Sequence, residues 1–387
     1  MPEEQSLSRK RSLIYVVGFI FNLSYAIPTY FNSTFLAKFL PGNVGIVYTA
    51  SSLLAIACFI QMPKALKRFG NLKVTTALLV LEIMSLAGLV IANGKLAVIC
   101  AFLVNFVTIA LINFTLDIFL ESYSSDLRTG KIRGFFLTCA NLAWVIAPVI
   151  ASFISRWGDY DHLYIVSALL LAPVLLLLLG GMASFRNPEF VKPPFWKTLG
   201  EIWADRNLKG VLMCQFLLQF FYAWMIIYTP IYLLTTVGFD NVTVGIILSI
   251  MLVPFVLLEE FLGRLADSRF GEQEMLGIGF VLMALFTILI AFVTDHNMII
   301  WAAILFMTRV GAAMVEVMAD TYFFKHVDAT KTHLISFSRM SRPFAYVIST
   351  VAATILLTVF DMKGLFVFLG FLMLYGLRYA LAIEDTK

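Results

Sequence analysis

Val44-Gly45-Ile46-Val47 returns 200 residues later as Val244-Gly245-Ile246-Ile247, which is the first sign of an internal repeat in the chain. Two more stretches recur at offsets of 202 and 201 residues: Pro28-Thr29-Tyr30 as Pro230-Ile231-Tyr232, and Arg68-Phe69-Gly70 as Arg269-Phe270-Gly271. Matches in one order at a nearly constant spacing indicate two homologous halves. Each half has room for six hydrophobic segments, so we predict a parallel repeat of six helices.

The composition places both halves in a membrane. Hydrophobic residues make up 60% of the 387-residue chain and charged residues 13%, and the mean hydropathy is +0.90. Only helices and closed barrels satisfy every backbone polar group inside a bilayer. The apolar runs reach the roughly 20 residues that a membrane-spanning helix needs, which excludes a barrel. The expected fold is an all-α integral membrane protein with 12 transmembrane helices in two pseudo-symmetric halves.

Turn signals and apolar runs divide the chain into an N-terminal half (1–185), a linker (186–208) and a C-terminal half (209–387). The linker contains three prolines and then an amphipathic stretch from Phe195 to Trp203, which is typical of an interfacial helix. The predicted spans are 12–38, 44–63, 73–93, 96–122, 134–156 and 163–185 in the first half, and 209–235, 243–266, 275–294, 297–322, 333–359 and 363–383 in the second.

The distribution of basic residues predicts the orientation. With the N-terminus inside, cytoplasmic segments hold 20 of the 28 Lys and Arg residues, and the outer loops hold only Lys38, Lys95, Arg156 and Lys363. By the positive-inside rule both termini and the linker are cytoplasmic. We expect a multi-pass protein of the plasma membrane. The net charge of +4 is too small to indicate nucleic acid as a partner.

Several kinds of site are not indicated by the sequence. The four cysteines, Cys58, Cys100, Cys139 and Cys214, fall inside predicted spans and lack metal-ligand spacing. The chain also shows no phosphate-binding glycine loop, and its linker is too short for a soluble catalytic domain. We therefore expect no metal, no cofactor and no enzymatic activity.

The loop after predicted span eight resembles a family signature. Gly263-Arg264-Leu265-Ala266-Asp267-Ser268-Arg269-Phe270-Gly271 is similar to the G-x-L-A-D-R-x-G loop of the major facilitator superfamily. Its first-half counterpart ends in the same Arg-Phe-Gly but has Leu66 at the position of the Asp. We expect tight turns that use the backbone freedom of Gly70 and Gly271. The resemblance implies a secondary transporter that works by alternating access.

Predicted span five contains a second resemblance. Ala143-x-x-x-Ala147-Pro148-x-x-Ala151-Ser152 is similar to the G-x-x-x-G-P-x-x-G-G pattern of proton-coupled antiporters, with every glycine replaced by alanine or serine. The resemblance implies export. Small residues at this spacing also serve close helix packing in any membrane bundle, which leaves the alternative open.

Charged residues inside membrane spans are costly and are functional candidates by default. Arg309, Glu316 and Asp320 lie at i, i+7 and i+11 on one face of span ten. Arg339 and Arg342, with Tyr346, lie at i, i+3 and i+7 on one face of span eleven. Opposite charges on neighbouring helices favour pairing, so a fixed salt-bridge network is one interpretation of both sets.

Proton coupling is the other interpretation. Arginine keeps its charge at every relevant pH, so a carboxylate must be the group that titrates. Glu260 is the first candidate, and Glu259, Glu316 and Asp320 are the others. Arg309 lies near the middle of its span, where a guanidinium would suit an anionic substrate or a carboxylate linked to the proton.

Polar and aromatic side chains indicate a substrate cavity. Such a lining suits amphipathic or aromatic solutes and also sugars, although each residue could instead join helices. The candidates are Asn22, Tyr25, Thr29 and Asn32 of span one, Asn105 and Asn113 of span four, Asn141 and Trp144 of span five, Gln215, Gln219 and Tyr222 of span seven, Arg309, and Tyr346.

A cytoplasmic gate is expected at the inner ends of the helices. Asp267 is predicted to lie near Arg133 at the start of span five, where a helix N-terminus favours a carboxylate. The gate candidates are Asp117, Glu121, Arg133, Asp267, Arg269, Arg339 and Arg342. Glu82 of span three receives no role.

The sequence therefore predicts a monomeric transporter of a small solute, with protons and the lipid bilayer as its other partners. We favour proton-coupled export of a drug-like or amphipathic solute. An uptake symporter for a sugar or organic anion is the alternative, supported by Arg309. A multi-pass protein without transport activity, either receptor-like or lipid-handling, is the third hypothesis.

Overall fold

The computed structural model describes residues 2–123, 129–157, 160–183, 185, 187–188, 195–258, 271–327 and 332–384. Within these ranges the chain forms 13 α-helices and no strand. The first seven are α1 (Pro2–Phe39), α2 (Val44–Phe69), α3 (Asn71–Ile91), α4 (Lys95–Ser122), α5 (Thr129–Ile154), α6 (Asp161–Gly181) and α7 (Phe195–Ala204). The others are α8 (Arg206–Tyr232), α9 (Asn241–Leu257), α10 (Glu272–Ile290), α11 (Met298–His326), α12 (Thr332–Leu356) and α13 (Met362–Ala380).

The predicted membrane fold is confirmed. Nine stretches of the described chain are long and apolar enough to cross a bilayer, and Thr138–Ile154, Asn241–Leu257 and Met340–Leu356 are shorter apolar helices. Together they account for all twelve predicted spans. Large apolar side chains such as Leu96, Ile91 and Leu176 are 69–75% exposed. Such residues would be a liability in water, but they suit a surface that faces lipid.

The chain divides into two compact units, Met1–Val191 and Lys192–Lys387. In the first, α1 packs on α5 and α6, and α3 packs on α4 and α6. In the second, α10 packs on α11 and α13, while α8 contacts α11, α12 and α13.

A short helix from the predicted linker begins the second unit. As expected, the amphipathic stretch is helical (α7), and Trp196 and Trp203 on it are 81% and 60% exposed. Exposed tryptophans are typical of helices at a membrane interface. Asp205 caps the N-terminus of the next helix, α8, because its carboxylate accepts hydrogen bonds from the amides of Asn207 and Leu208 at 2.9 and 3.0 Å. This cap satisfies two amides that lack partners in the first turn.

The two repeated glycine turns differ. Gly70 has φ +81°, a conformation that favours glycine, and the next amide, of Asn71, donates to Asn187 Oδ1 at 2.7 Å. Gly271 has φ −70° and ψ 163°, which any residue adopts. The expected need for glycine therefore applies to Gly70 and was wrong for Gly271.

Close helix packing in the second unit depends on a glycine pair. A Cβ atom at Gly311 of α11 would lie 2.6 Å from the carbonyl oxygen of Gly279 and 2.8 Å from the amide nitrogen of Met283. Both neighbours are backbone atoms of α10, which cannot rotate away. Glycine thus lets these backbones approach, as small residues do in membrane bundles.

Candidate functional site

A polar network joins α8, α11 and α12 in the C-terminal unit. The Tyr222 hydroxyl donates to Glu316 Oε2 at 2.6 Å, and Gln215 Nε2 donates to Asp320 Oδ1 at 2.9 Å. Ser338 of α12 donates to Gln215 Oε1 at 2.7 Å. Because α8 and α11 run antiparallel, the later residue of α8 meets the earlier residue of α11. The structure therefore brings the predicted cavity residues Gln215 and Tyr222 together with the predicted coupling residues Glu316 and Asp320.

Arg309 lies on the same face of α11, two turns before Glu316. The residue is 1% exposed, and its Nε and Nη1 atoms are buried without a hydrogen-bond partner among the described residues. Its guanidinium carbon lies 5.2 Å from the ring centroid of Phe221 and 5.3 Å from that of Tyr222. Contact with ring faces compensates a buried cation by about 2 kcal/mol or more. The described part of the chain leaves the hydrogen-bonding capacity of these two atoms unused.

Arg342 and Arg309 both act electrostatically on Glu316. The guanidinium carbon of Arg342 on α12 lies 6.0 Å from the ring of Tyr346 on the same helix. Glu316 is thus placed near two arginines and accepts a hydrogen bond from Tyr222. A carboxylate in such a position responds to any anion that neutralises one of the arginines.

An aromatic cluster in the N-terminal unit contains Tyr25 and Trp144, which were both predicted for the cavity, together with Tyr30. The rings of Tyr25 and Tyr30 lie edge-on to Trp144 of α5, with centroid distances of 5.4 and 6.0 Å. The Tyr25 hydroxyl donates to Asn22 Oδ1 at 2.8 Å, and Asn22 Nδ2 donates to the carbonyl of Gly18. The cluster offers mainly ring faces and edges.

Other predicted cavity residues bond within their own unit. Asn32 accepts from the Tyr164 hydroxyl at 2.9 Å and so links α1 to α6. The Thr29 hydroxyl donates to the carbonyl of Tyr25, and Asn113 Nδ2 donates to that of Ile109 at 3.0 Å. Gln219 and Asn141 are half-buried on α8 and α5.

The predicted gate is only partly described. Asp117 is half-buried on α4, and Glu121 at the end of the same helix is exposed. The roles predicted for the acids and arginines named next are not tested by the structure and stay predictions. Residues Glu259, Glu260, Asp267 and Arg269, and the side chains of Arg133 and Arg339, lie outside the described residues.

Sequence reasoning missed three contacts. The role of Ser338 had no sequence signal, because it depends on how α12 is rotated against α8. Lys325 Nζ and Glu272 Oε1 form an ion pair at 2.5 Å between α10 and α11. Opposite charges in the first turn of α10 and the last turn of α11 could have indicated that pair. The third contact is the hydrogen bond from Asn105 Nδ2 to Glu82 Oε1, in a buried polar cluster around Glu82. Asn105 had been predicted to line the cavity.

The described residues contain no group of three His, Cys, Asp or Glu side chains placed to hold a metal ion. The cysteines Cys58, Cys100, Cys139 and Cys214 are free thiols. The network in the C-terminal unit offers ionic and hydrogen-bonding groups, supplied by arginines, carboxylates and a phenol.

Comparison with known proteins agrees with this architecture. The family model described as Major Facilitator Superfamily matches residues 14–251 and 211–385. A search of curated proteins found no relative. The fold is similar to that of a POT family transporter crystallised with a thioalcohol-conjugated peptide, at 13% identity and a TM-score of 0.75, covering 96% of this chain and 95% of the other.

Two further solved structures share the fold. A POT family transporter in complex with 5-aminolevulinic acid is 12% identical, with a TM-score of 0.76 and coverage of 96% of this chain and 95% of the other. The peptide transporter POT in complex with sulfate is 12% identical, with a TM-score of 0.74 and coverage of 97% and 94%. At these identities the likeness shows the fold alone.

Proposed function

Because the chain belongs to the major facilitator superfamily and is a multi-pass secondary transporter of a small solute, we propose that it moves an organic anion together with protons. The observation that carries this proposal is Arg309, a buried guanidinium whose Nε and Nη1 atoms have no hydrogen-bond partner in the part of the chain that the structure describes. Alternating access opens such a site to each side of the membrane in turn.

An anion is the solute that Arg309 fits best. Leaving a charge buried and uncompensated is costly, and charged groups inside membrane spans mark substrate or ion pathways. A guanidinium has two hydrogen-bonding edges, and each edge contains either Nε or Nη1. A carboxylate on one edge would accept two parallel hydrogen bonds and neutralise the charge. An uncharged sugar would leave the charge in place.

Tyr222 supports coupling between the anion and a proton. Its ring lies against Arg309, and its hydroxyl donates to Glu316. While Glu316 is ionised, it offsets the charge of Arg309. We propose that protonation of Glu316 leaves Arg309 available to the anion, so that each ligand favours binding of the other. Asp320, Glu259 and Glu260 remain proposed coupling residues in addition to Glu316.

Binding in this order gives symport. The proton and the anion bind the same state, so both move in one direction and the proton gradient drives uptake. The transporters of similar fold were crystallised with a peptide conjugate, 5-aminolevulinic acid and sulfate. Those ligands belong to those proteins, and the anion proposed here depends on Arg309.

Export of an amphipathic solute is the second candidate function. It is favoured by the cluster of Tyr25, Tyr30 and Trp144, whose rings suit an aromatic or apolar group. In that case protons would move against the solute rather than with it. The two functions differ in solute class and in the direction of proton flow.

A ligand screen separates the candidates. A ligand that binds only the folded state raises its stability in proportion to RT ln(1 + [L]/Kd). We expect small organic carboxylates to raise the melting temperature of the purified protein, and we expect Arg309→Met to abolish that rise. Stabilisation by hydrophobic cations, unaffected by Arg309→Met, would refute the anion proposal and support export.

A further inference from the structure

Glu82 is a buried acid in the N-terminal unit for which transport at Arg309 provides no role. It is the twelfth of the 21 residues of α3, in the middle of the helix, and is 2% exposed. Its contacts are with Ser85 on its own helix and with Asn105 and Thr108 on α4. Within the described chain, no Lys, Arg or His forms an ion pair or hydrogen bond with it. A carboxylate there would be a buried charge without a counter-charge.

The neighbouring hydroxyls have other acceptors for their single hydrogens. Thr108 Oγ1 lies 2.8 Å from the carbonyl oxygen of Val104 and 3.0 Å from that of Asn105, besides its contact with Glu82 Oε2. Ser85 Oγ lies 2.8 Å from the backbone carbonyl of Glu82 but 3.3 Å from Oε2. Asn105 Nδ2, at 2.7 Å from Oε1, is the one contact that must donate to the carboxyl group.

We propose that Glu82 is a proton-binding site and is held as a neutral carboxylic acid between α3 and α4. Oε1 then accepts from Asn105, and the proton on Oε2 is donated to Thr108 Oγ1. Thr108 in turn donates to the carbonyl of Val104. In this arrangement both carboxyl oxygens, Asn105 Nδ2 and the two hydroxyls have a partner of the opposite kind, and no net charge is buried. Buried polar groups are retained when their hydrogen bonding is complete.

Charged groups on the surrounding helices lie towards the helix ends. Lys73 is nine residues from Glu82 on α3, which is about 13 Å along the axis. On α4, Lys95 lies ten residues before Asn105, and Asp117 lies nine residues after Thr108. Other charged or titratable side chains on the packed helices are Glu121 of α4, Asp161 and His162 in the first turn of α6, and Lys64, Lys67 and Arg68 near the end of α2.

The uncharged titratable groups on these helices are Tyr48 and Cys58 of α2, Cys100 of α4 and Tyr164 of α6. None of these four described residues is hydrogen-bonded to Glu82. The site therefore depends on the carboxyl group and its three neutral neighbours. A metal or sodium ion would need the amide of Asn105 to turn its oxygen inward, away from the arrangement observed.

The bound proton makes the stability of this unit depend on pH. At neutral pH an unfolded chain leaves Glu82 ionised, whereas the folded chain holds the proton. Stability therefore falls as pH rises through the range where only the folded state is protonated. Glu82→Gln keeps the size of the side chain and can donate from its amide to Thr108, so we expect it to fold and to show a weaker dependence on pH.

Infrared spectroscopy of the purified protein tests the proposal directly. A protonated carboxylic acid has a C=O stretching band distinct from that of carboxylate, and the band shifts in D₂O. We expect this band at pH 7, with a component that Glu82→Gln removes and that is retained in Glu121→Gln, a matched change at an exposed acid of α4. A wild-type spectrum that Glu82→Gln leaves unchanged would overturn the proposal.

Thermal unfolding gives the second readout. The melting temperature of wild type should fall more steeply between pH 6 and 9 than that of Glu82→Gln. Equal slopes, failure of the neutral amide variant to fold, or stabilisation by sodium that Glu82→Gln removes would each contradict a proton site. Neither measurement requires a transported solute. The test of Glu82 is therefore independent of whether the anion proposal is correct.

Discussion

Arg309→Lys tests the geometry of anion binding while the charge is kept. The planar guanidinium lies against Phe221 and Tyr222, at 5.2 and 5.3 Å from the ring centroids, and presents two hydrogen-bonding edges. Lysine supplies a cation that donates from one atom and cannot present a flat fork. We expect the variant to bind the anion through one strong hydrogen bond instead of two.

The size of the effect follows from the lost bond. A hydrogen bond to a charged group contributes about 1.5–3 kcal/mol. Since 1.4 kcal/mol corresponds to a tenfold change in Kd, we expect Kd for the anion to rise roughly 10- to 150-fold. We expect the substitution to weaken anion binding and not the fold, because lysine preserves the charge and most of the buried aliphatic chain.

The assay is the melting temperature of the purified protein measured over a range of anion concentrations, from which Kd follows by linkage. Arg378→Lys is the matched control, because Arg378 lies in the last turn of α13, on a different helix from the network around Arg309. It should leave Kd unchanged. If folded Arg309→Lys binds the anion as tightly as wild type, bidentate recognition by Arg309 is refuted.

Three further changes follow from the described contacts. Tyr222→Phe removes the 2.6 Å hydrogen bond to Glu316, worth about 1.5–3 kcal/mol, so proton-driven uptake in proteoliposomes should fall about tenfold while solute exchange persists. Unchanged proton-driven uptake would exclude this hydrogen bond from coupling. Gly311→Ala places a Cβ 2.6 Å from a carbonyl oxygen of α10, so the unfolding free energy should fall by about 1–3 kcal/mol, and an unchanged melting temperature would contradict the close packing. Outside the spans, a hydrogen bond with the Thr243 side chain lowers the pKa of Asp240, so the stabilising effect of this bond is present above the ordinary Asp pKa and is lost as pH falls. Asp240→Asn should flatten the loss of melting temperature on the acid side, and an identical acid profile would count against a stabilising hydrogen bond at Asp240.

The fold could be predicted from the sequence because the decisive information is local and repeated. Apolar runs of sufficient length define the spans, and the spacing of Val44 to Val244 defines the two halves. The i, i+7 and i+11 spacing of Arg309, Glu316 and Asp320 is enough to place these residues on one face of a helix. Helical periodicity alone supports such inferences.

Contacts between helices could not be predicted in the same way. Glu82 meets Asn105 and Thr108 only because α3 and α4 pack in one register, and no periodicity within α3 specifies that register. Asn105 looked like a cavity residue for the same reason. The repeat also suggested equal turns at Gly70 and Gly271, although the backbone conformations differ.

Simultaneous recording of solute and proton entry into proteoliposomes distinguishes anion symport from the other modes of transport. With an inward proton gradient, we predict that an organic anion accumulates, that protons enter with it, and that Arg309→Met stops both fluxes. Accumulation that proceeds without proton entry would contradict symport. If a hydrophobic solute instead leaves the vesicles as protons enter, and Arg309→Met does not diminish this movement, the proposal that the substrate is an organic anion would be contradicted as well.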